Sequence, residues 1–224
     1  SKYIPISRSY FKMIEILKTF YILEDLTDEP IQTFHLAEGP GGFIEAIVNK
    51  RENCKDRYYG MTLQSNSENV PGWKKSRDFL KKHKNIFLEN GYDKKGDLYN
   101  SKNLEYCYIK YKNSMNIITA DGGFDFSVDF NKQEILSSRL IFSQVIFALL
   151  LQKKNGTFIL KIFDIFDKFT VDIIYLLNIL YSKIYIVKPN TSRYANSEKY
   201  IVCKGFRLAN SDCYYNMFLS FFKK

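Results

Sequence analysis

Apolar residues recur at helical spacing from the start of the chain. In "SRSYFKMIEILKTFYIL", residues 7–23, Phe11, Ile14, Leu17 and Tyr21 fall three or four positions apart. That spacing predicts an amphipathic helix with Ser7 or Ser9 as its cap. The pattern then becomes short apolar runs alternating with helix-like stretches. Strands are expected at about 33–37, at 58–63 ("YYGMTL"), in "NIFLEN", at 116–121 ("NIITAD"), in "GTFILKIF", in "KIYIVKP" and at 199–206 ("KYIVCKGF"). Helices are expected from a glycine-rich turn to about 50, in "RDFLKKHK", over about 132–152 and over about 168–181. No internal repeat or linker breaks the series.

Alternating strands and helices predict a mostly parallel sheet covered on both faces. The last two strands depart from this. Only 11 residues, 189–199, separate their apolar cores. That is too short for a parallel crossover, so they should pair antiparallel. The expected class is α/β: seven strands, mostly parallel, with an antiparallel last strand. It resembles the Rossmann-like fold of the S-adenosylmethionine-dependent methyltransferases. One domain is expected over 1–224, with residues 1–30 as a helical segment packed on its core.

The glycine turn lies in "HLAEGPGGFIEAIV", residues 35–48, between the first strand and its helix. Ligands of such sheets bind beyond the C-terminal ends of the parallel strands. Gly39, Gly41 and Gly42 carry no Cβ that would keep a ligand off the backbone. Glu38, at the strand's end, is placed to face a cationic end of that ligand. The spacing is neither G-x-G-x-x-G nor a Walker motif, which argues against a dinucleotide or triphosphate. The remaining readings are a small nucleotide-like ligand or a tight turn with none.

Charged residues gather on the same edge. Asp121 ends the fourth strand, Lys161 lies late in the fifth, and Glu198 precedes the reversed seventh. The reversal brings Glu198 to the edge where the other two strands end. Lys12, on the first helix, can cover that edge. Structural ion pairs are the plain reading of such a set. Against it, Lys161 sits between "FIL" and "IF", where an unpaired ammonium is costly. A lysine in such a place can serve as a general base, with Asp121 and Glu198 orienting the two lysines.

Composition narrows the class. With 46% apolar residues among 224, the chain is not disordered. A net charge of +9 points to a polyanionic partner, nucleic acid above all. Two histidines and four cysteines without a CxxC pair make a metal site unexpected. The cysteines read as reduced thiols of a cytoplasmic or nuclear protein. "LIFSQVIFALLL", 140–151, is short for a membrane span and reads as a buried helix. No secretory signal is visible, so neither secretion nor a membrane is expected. The absence of an initiating Met suggests an excised domain or a processed chain. "WKKSRDFLKKHK" holds six Lys or Arg in 12 residues, either a solvated helix face or an RNA track. Trp73 at its start reads as packing, with base stacking as the alternative.

Several motifs together resemble the FtsJ-like RNA 2′-O-methyltransferases, most closely the cap-specific mRNA ribose methyltransferases. They are "SRSYFKMIEI", "LAEGPGGFIE", "YGMTL" with "VPGW", "NGYDKKGDLYN", "ADGGFDFS", "QEILSSRLIFSQ", "GTFILKIFD" and "KPNTSRYANSEKYIVCKGF", in order from residue 7 to 206. The resemblance implies a catalytic tetrad of Lys12, Asp121, Lys161 and Glu198, with Lys161 activating a ribose 2′-hydroxyl. It implies S-adenosyl-L-methionine as cofactor, held by Ser7, Ala37, Glu38, Gly39, Pro40, Gly41, Gly42, Phe43, Asp97, Leu98 and Asp121. Asp97 would take the adenine amine, with Asp93 as its competitor. The position of Glu38 is often small or polar in the family. Thr191, Ser192, Arg193, Asn196 and Ser197 would border the RNA.

The implied partner is RNA, specifically 5′-capped mRNA, with capping-apparatus proteins alongside. Ribosomal or transfer RNA, a catalytically silent RNA-binding subunit and a small-molecule methyltransferase are the competing readings. The Lys- and Asn-rich style resembles that of large DNA viruses or AT-rich protists; a viral chain would work in a virion or viral factory.

Overall fold

The computed structural model describes residues 3–26, 29–65, 72–123 and 132–223. The chain runs α1 (Ser9–Thr19), β1 (Gln32–Leu36), α2 (Gly42–Arg51), β2 (Arg57–Met61), α3 (Arg77–Lys82), β3 (Ile86–Leu88) and α4 (Ser101–Tyr111). It continues with β4 (Met115–Ala120), α5 (Gln133–Leu151), β5 (Gln152–Ile162), α6 (Lys168–Leu180), β6 (Tyr181–Val187), β7 (Lys199–Phe206) and α7 (Asp212–Phe222).

One seven-stranded sheet has the order β3-β2-β1-β4-β5-β7-β6. The first five strands in this order pair in parallel. β7 lies antiparallel between β5 and β6, so the reversal inferred from the short connection is observed. The chain builds outward from β1 on one side, then returns to its other side at β4. The strand order therefore reverses between β1 and β4, and a crevice opens beyond their C-terminal ends.

Successive strand residues point to opposite faces. Phe34, Ile118, Phe158 and Leu160 pack toward α4, α5, α6 and α7. Ile117, Ile159, Tyr200 and Val202 pack toward α1 and α2. Helix α5 is apolar on nearly every side, and Val145–Leu151 are all buried. Among the described residues it alone is long and apolar enough to cross a membrane, but here it is a core helix.

Several details differ from the sequence reading. The buried residues of α1 are Met13, Ile16 and Leu17, whereas Tyr21 lies past the helix at φ 49° and is exposed. Neither serine caps α1: Arg8 occupies the cap position and makes no side-chain cap bond. Ser7 Oγ and Ser9 Oγ hydrogen-bond each other instead, at 2.6 Å. Helices α4 and α7 were not expected from the sequence, and β5 starts four residues before Gly156.

Candidate active site

The glycine turn follows from close packing as much as from ligand access. Gly41 has φ +105°, a conformation that favours glycine. A Cβ on Gly42 would lie 2.2 Å from Ser7 Oγ and 2.3 Å from Ser9 Oγ. The bare first turn of α2 thus lets the entry to α1 sit directly on it. Ala37 also has positive φ, at 55°, and its N–H donates to Met61 O at 2.7 Å. Across the crevice, a Cβ on Gly122 would stand 2.8 Å from that of Ala37. The ends of β1 and β4 therefore approach closely at the switch point.

The four charged residues converge on this edge as two ion pairs. Lys12 Nζ lies 2.6 Å from Glu198 Oε1. Lys161 Nζ lies 3.3 Å from Asp121 Oδ1 and donates to the Asp121 carbonyl at 2.7 Å. All four side chains are between 10% and 15% exposed, so they are shielded yet reachable. Burial pushes the Glu198 carboxyl up, but the Lys12 and Lys161 ammoniums and the Lys12 and Ser192 hydrogen bonds outweigh it. The group is held below the ordinary carboxylate range.

Tyr200 joins the two pairs and was not singled out from the sequence. Its hydroxyl is 2.8 Å from Asp121 Oδ1 and 3.2 Å from Glu198 Oε1, so one proton serves two carboxylates. Burial, then the charges of Asp121 and Glu198, push its phenol far up, so it remains a donor. β7 pairs Tyr200 with Lys161 across the ladder. That register was the available signal: a residue opposite Lys161, two after Glu198, belongs to the same edge. Within "KYIVCKGF" it reads as one more core aromatic.

Other nominated residues divide. Glu38 does not face the crevice: its side chain is only 1% exposed and bonds His35 Nδ1 through Oε2 at 3.2 Å. His35 is itself buried, touching Thr33 and Thr119 hydroxyls. Burial raises the Glu38 carboxyl, opposed by His35. Phe43 turns into the core against Tyr200, ring centroids 5.8 Å apart, and Leu98 is buried. From these two, only backbone can meet a ligand. Gly39, Pro40 and Gly41 form the turn itself, with the Gly39–Pro40 bond cis.

Asp97 and Asp93 are separated by their hydrogen bonds. Asp93 uses both oxygens, toward Lys95 N–H and the Asn100 amide. Asp97 Oδ1 accepts Tyr99 N–H at 2.8 Å, and its second oxygen has no partner among the described residues. The Asp97 loop packs on the end of β2, where a Cβ on Gly96 would lie 2.3 Å from Thr62 O. Ala37 bonds the same strand end, so Asp97 and the glycine turn flank one crevice.

The 191–197 loop is more tightly held than a free RNA-contacting loop. Ser192 is buried and donates to Glu198 at 3.1 Å. Thr191 is fixed by Glu15 through N–H and hydroxyl, and Ser197 donates to Gln133 at 3.0 Å. Asn196 accepts from Lys188. Arg193 projects exposed from this scaffold. Trp73 is 7% exposed and packs against Gly41 and Gly60, the packing role expected of it.

A doubly wound sheet with a reversed β7, a glycine-lined crevice and a charged edge defines the Rossmann-like methyltransferase class. Residues 5–206 match the FtsJ-like methyltransferase family, and the chain belongs to it. Membership makes S-adenosyl-L-methionine its methyl donor. The bare turn and the unpaired Asp97 oxygen fit a nucleoside ligand of that kind. The chain is 37% identical over 172 residues to a cap-specific mRNA (nucleoside-2′-O-)-methyltransferase 1 of Trypanosoma brucei brucei, covering 75% of this chain and 45% of that one. It is 33% identical over 201 residues to the human protein of the same name, covering 85% and 23%. It thus spans less than half of either relative.

Among solved structures, one described as a ribosomal RNA methyltransferase from Plasmodium falciparum matches with TM-score 0.60 at 18% identity, covering 89% of this chain and 97% of that one. Aeropyrum pernix fibrillarin with bound S-adenosyl-L-methionine matches at 0.52 and 12%, covering 88% and 76%. At these identities the likeness is one of fold.

Proposed function

We propose that the chain transfers a methyl group from S-adenosyl-L-methionine to a ribose 2′-hydroxyl of RNA. The substrate is the first transcribed nucleotide of capped mRNA, converting cap 0 to cap 1. One observation carries the reading: two Lys–carboxylate pairs, linked by Tyr200, stand at the edge of the glycine-lined crevice. The 37% and 33% identities to cap-specific relatives support the choice of substrate.

Bound in the crevice, the donor supplies an electrophilic methyl on a sulfonium. A ribose hydroxyl is a weak nucleophile at neutral pH, so a base and in-line alignment are both needed. Lys161 is the general base: in its unprotonated form its Nζ takes the 2′-hydroxyl proton. With S-adenosyl-L-methionine held there, its sulfonium would supply the methyl to the 2′-oxygen, the carbon–sulfur bonding pair staying with sulfur. Asp121 fixes Lys161, and Lys12, held by Glu198, lends positive charge to the developing oxyanion. Arg193 and the loop around it meet the RNA. Such an enzyme works in the cytoplasm or nucleus beside other capping proteins.

Mass mapping of the methylated nucleotide tests the proposal, with capped, uncapped and structured RNA compared. Methyl on the first nucleotide of capped RNA is expected. Methyl only on uncapped structured RNA would replace the substrate; binding without transfer would make the chain a silent RNA-binding subunit.

A further inference from the structure

The positive charge of the molecule is concentrated. Residues 49–57 and 73–85 hold ten Lys or Arg against three Asp or Glu, seven of the chain's nine net charges. Little of it is neutralised locally. Arg51 pairs with buried Asp56, and Lys81 stands a loose 3.9 Å from exposed Asp78. Lys50, Lys55, Arg57, Lys74, Lys75, Arg77, Lys82 and Lys84 are exposed and form no ion pair among the described residues.

The fold arranges these cations as a strip. Helix α3 joins parallel strands β2 and β3, so it runs back along the sheet. Its entry is at the crevice, because Trp73 packs on Gly41 and Gly60. Lys74, Lys75 and Arg77 follow directly. Its exit is at the opposite edge, where β2 begins. There Lys82, His83 and Lys84 join Asn49 and Asn53 around a cleft of about 490 Å³. A second cleft of about 450 Å³, sharing Cys54, Lys84 and Asn85 with the first, adds Lys55 and Arg57.

Like charges placed together without partners repel, unless a polyanion shares the surface. Here they lead from the candidate active site to two open clefts rimmed by lysines, Arg57 and asparagines. We infer that this strip is a second RNA-binding surface. The phosphodiester backbone beyond the reacting nucleotide runs along α3 and ends in the clefts at the start of β2. The asparagines among the cations add hydrogen-bond donors that suit the phosphates and sugars of an RNA strand. The inference rests on the RNA methyltransferase reading and adds a place for the body of the substrate.

The test is a Lys55→Gln/Lys82→Gln/Lys84→Gln variant, whose three side chains are exposed and outside the catalytic set. Methyl transfer is measured on a short capped RNA that covers only the crevice and on a long one. For the long RNA, KM should rise about tenfold, and the slope of log affinity against log salt should fall by about 2, near 0.7 for each phosphate no longer neutralised. Turnover on the short RNA should not change. Unchanged KM and salt slope on the long RNA, with methyl transfer intact, would overturn the strip alone. Unchanged RNA binding with lost affinity for phosphatidylserine vesicles would assign it to a membrane. Absence of any RNA methylation by the parent chain would sink the functional reading and this inference with it.

Discussion

At the scale of single residues, the site separates chemistry from binding. Lys161 is held by Asp121 on the charged edge. Lys161→Ala should therefore lower methyl transfer roughly 100- to 10,000-fold, the usual worth of a positioned base. Affinity for S-adenosylmethionine should stay within a few-fold; unchanged single-turnover rates would remove Lys161 as the base. Asp97 is the converse case, with one carboxylate oxygen unpartnered among the described residues. Asp97→Ala should weaken cofactor binding about tenfold by calorimetry, the loss of one hydrogen bond to a charged group. A Kd equal to that of the parent would place the adenine-binding group elsewhere.

At the scale of elements, the glycine turn is a joint between α1 and α2. A Cβ at position 42 would strike both serine hydroxyls and come within 2.9 Å of Tyr10 N. Gly42→Ala should destabilise the fold by about 1–3 kcal/mol, as overpacking does. It should also cut turnover, because α1 carries Lys12 to Glu198; differential scanning calorimetry and kinetics read the two effects. A variant with parental Tm and turnover would mean that α1 shifts freely on α2.

This joint also explains what could be read from the sequence. The central strands β1, β4 and β7 and the long core helix were legible because burial on both faces writes continuous apolar runs. Helix α4 was not: its buried set is Asn103, Leu104, Cys107 and Tyr111, while Tyr106, Tyr108 and Ile109 dilute the pattern outside it. Helix α7 has aromatics on several sides and only Phe218 buried. That Asp121, Lys161 and Glu198 would share one edge was legible because charged residues near strand ends stand out. Tyr200 was hidden because its one polar atom is carried by a ring packed among core side chains. The burial of Glu38 was not legible, because nothing in the spacing shows its contact with His35.

At the scale of the whole molecule, buried carboxylates set opposing pH dependences. Burial pushes Glu89 up, but the Tyr111 hydroxyl, the Lys110 ammonium and Gly91 N–H hold it below the ordinary range. Glu198 is depressed in the same sense. A depressed carboxyl contributes stability that is present above the unfolded value, about 4.3 for Glu, and is lost as pH falls through the folded value. Glu38 has the opposite sign. Burial raises it, and the nearby Asp121 charge adds to the rise against the His35 bond. Its contribution is complete below about 4.3 and is lost as pH rises through the raised folded value. Urea unfolding between acid and mildly alkaline pH separates the two. Glu89→Gln should cost most at neutral pH, with its deficit narrowing as both chains are acidified. Glu38→Gln, which cannot ionise, should compare best with the parent at alkaline pH and lose that advantage in acid. A Glu38→Gln deficit that grows with rising pH would show instead that the ionised carboxylate is the form the fold prefers beside His35.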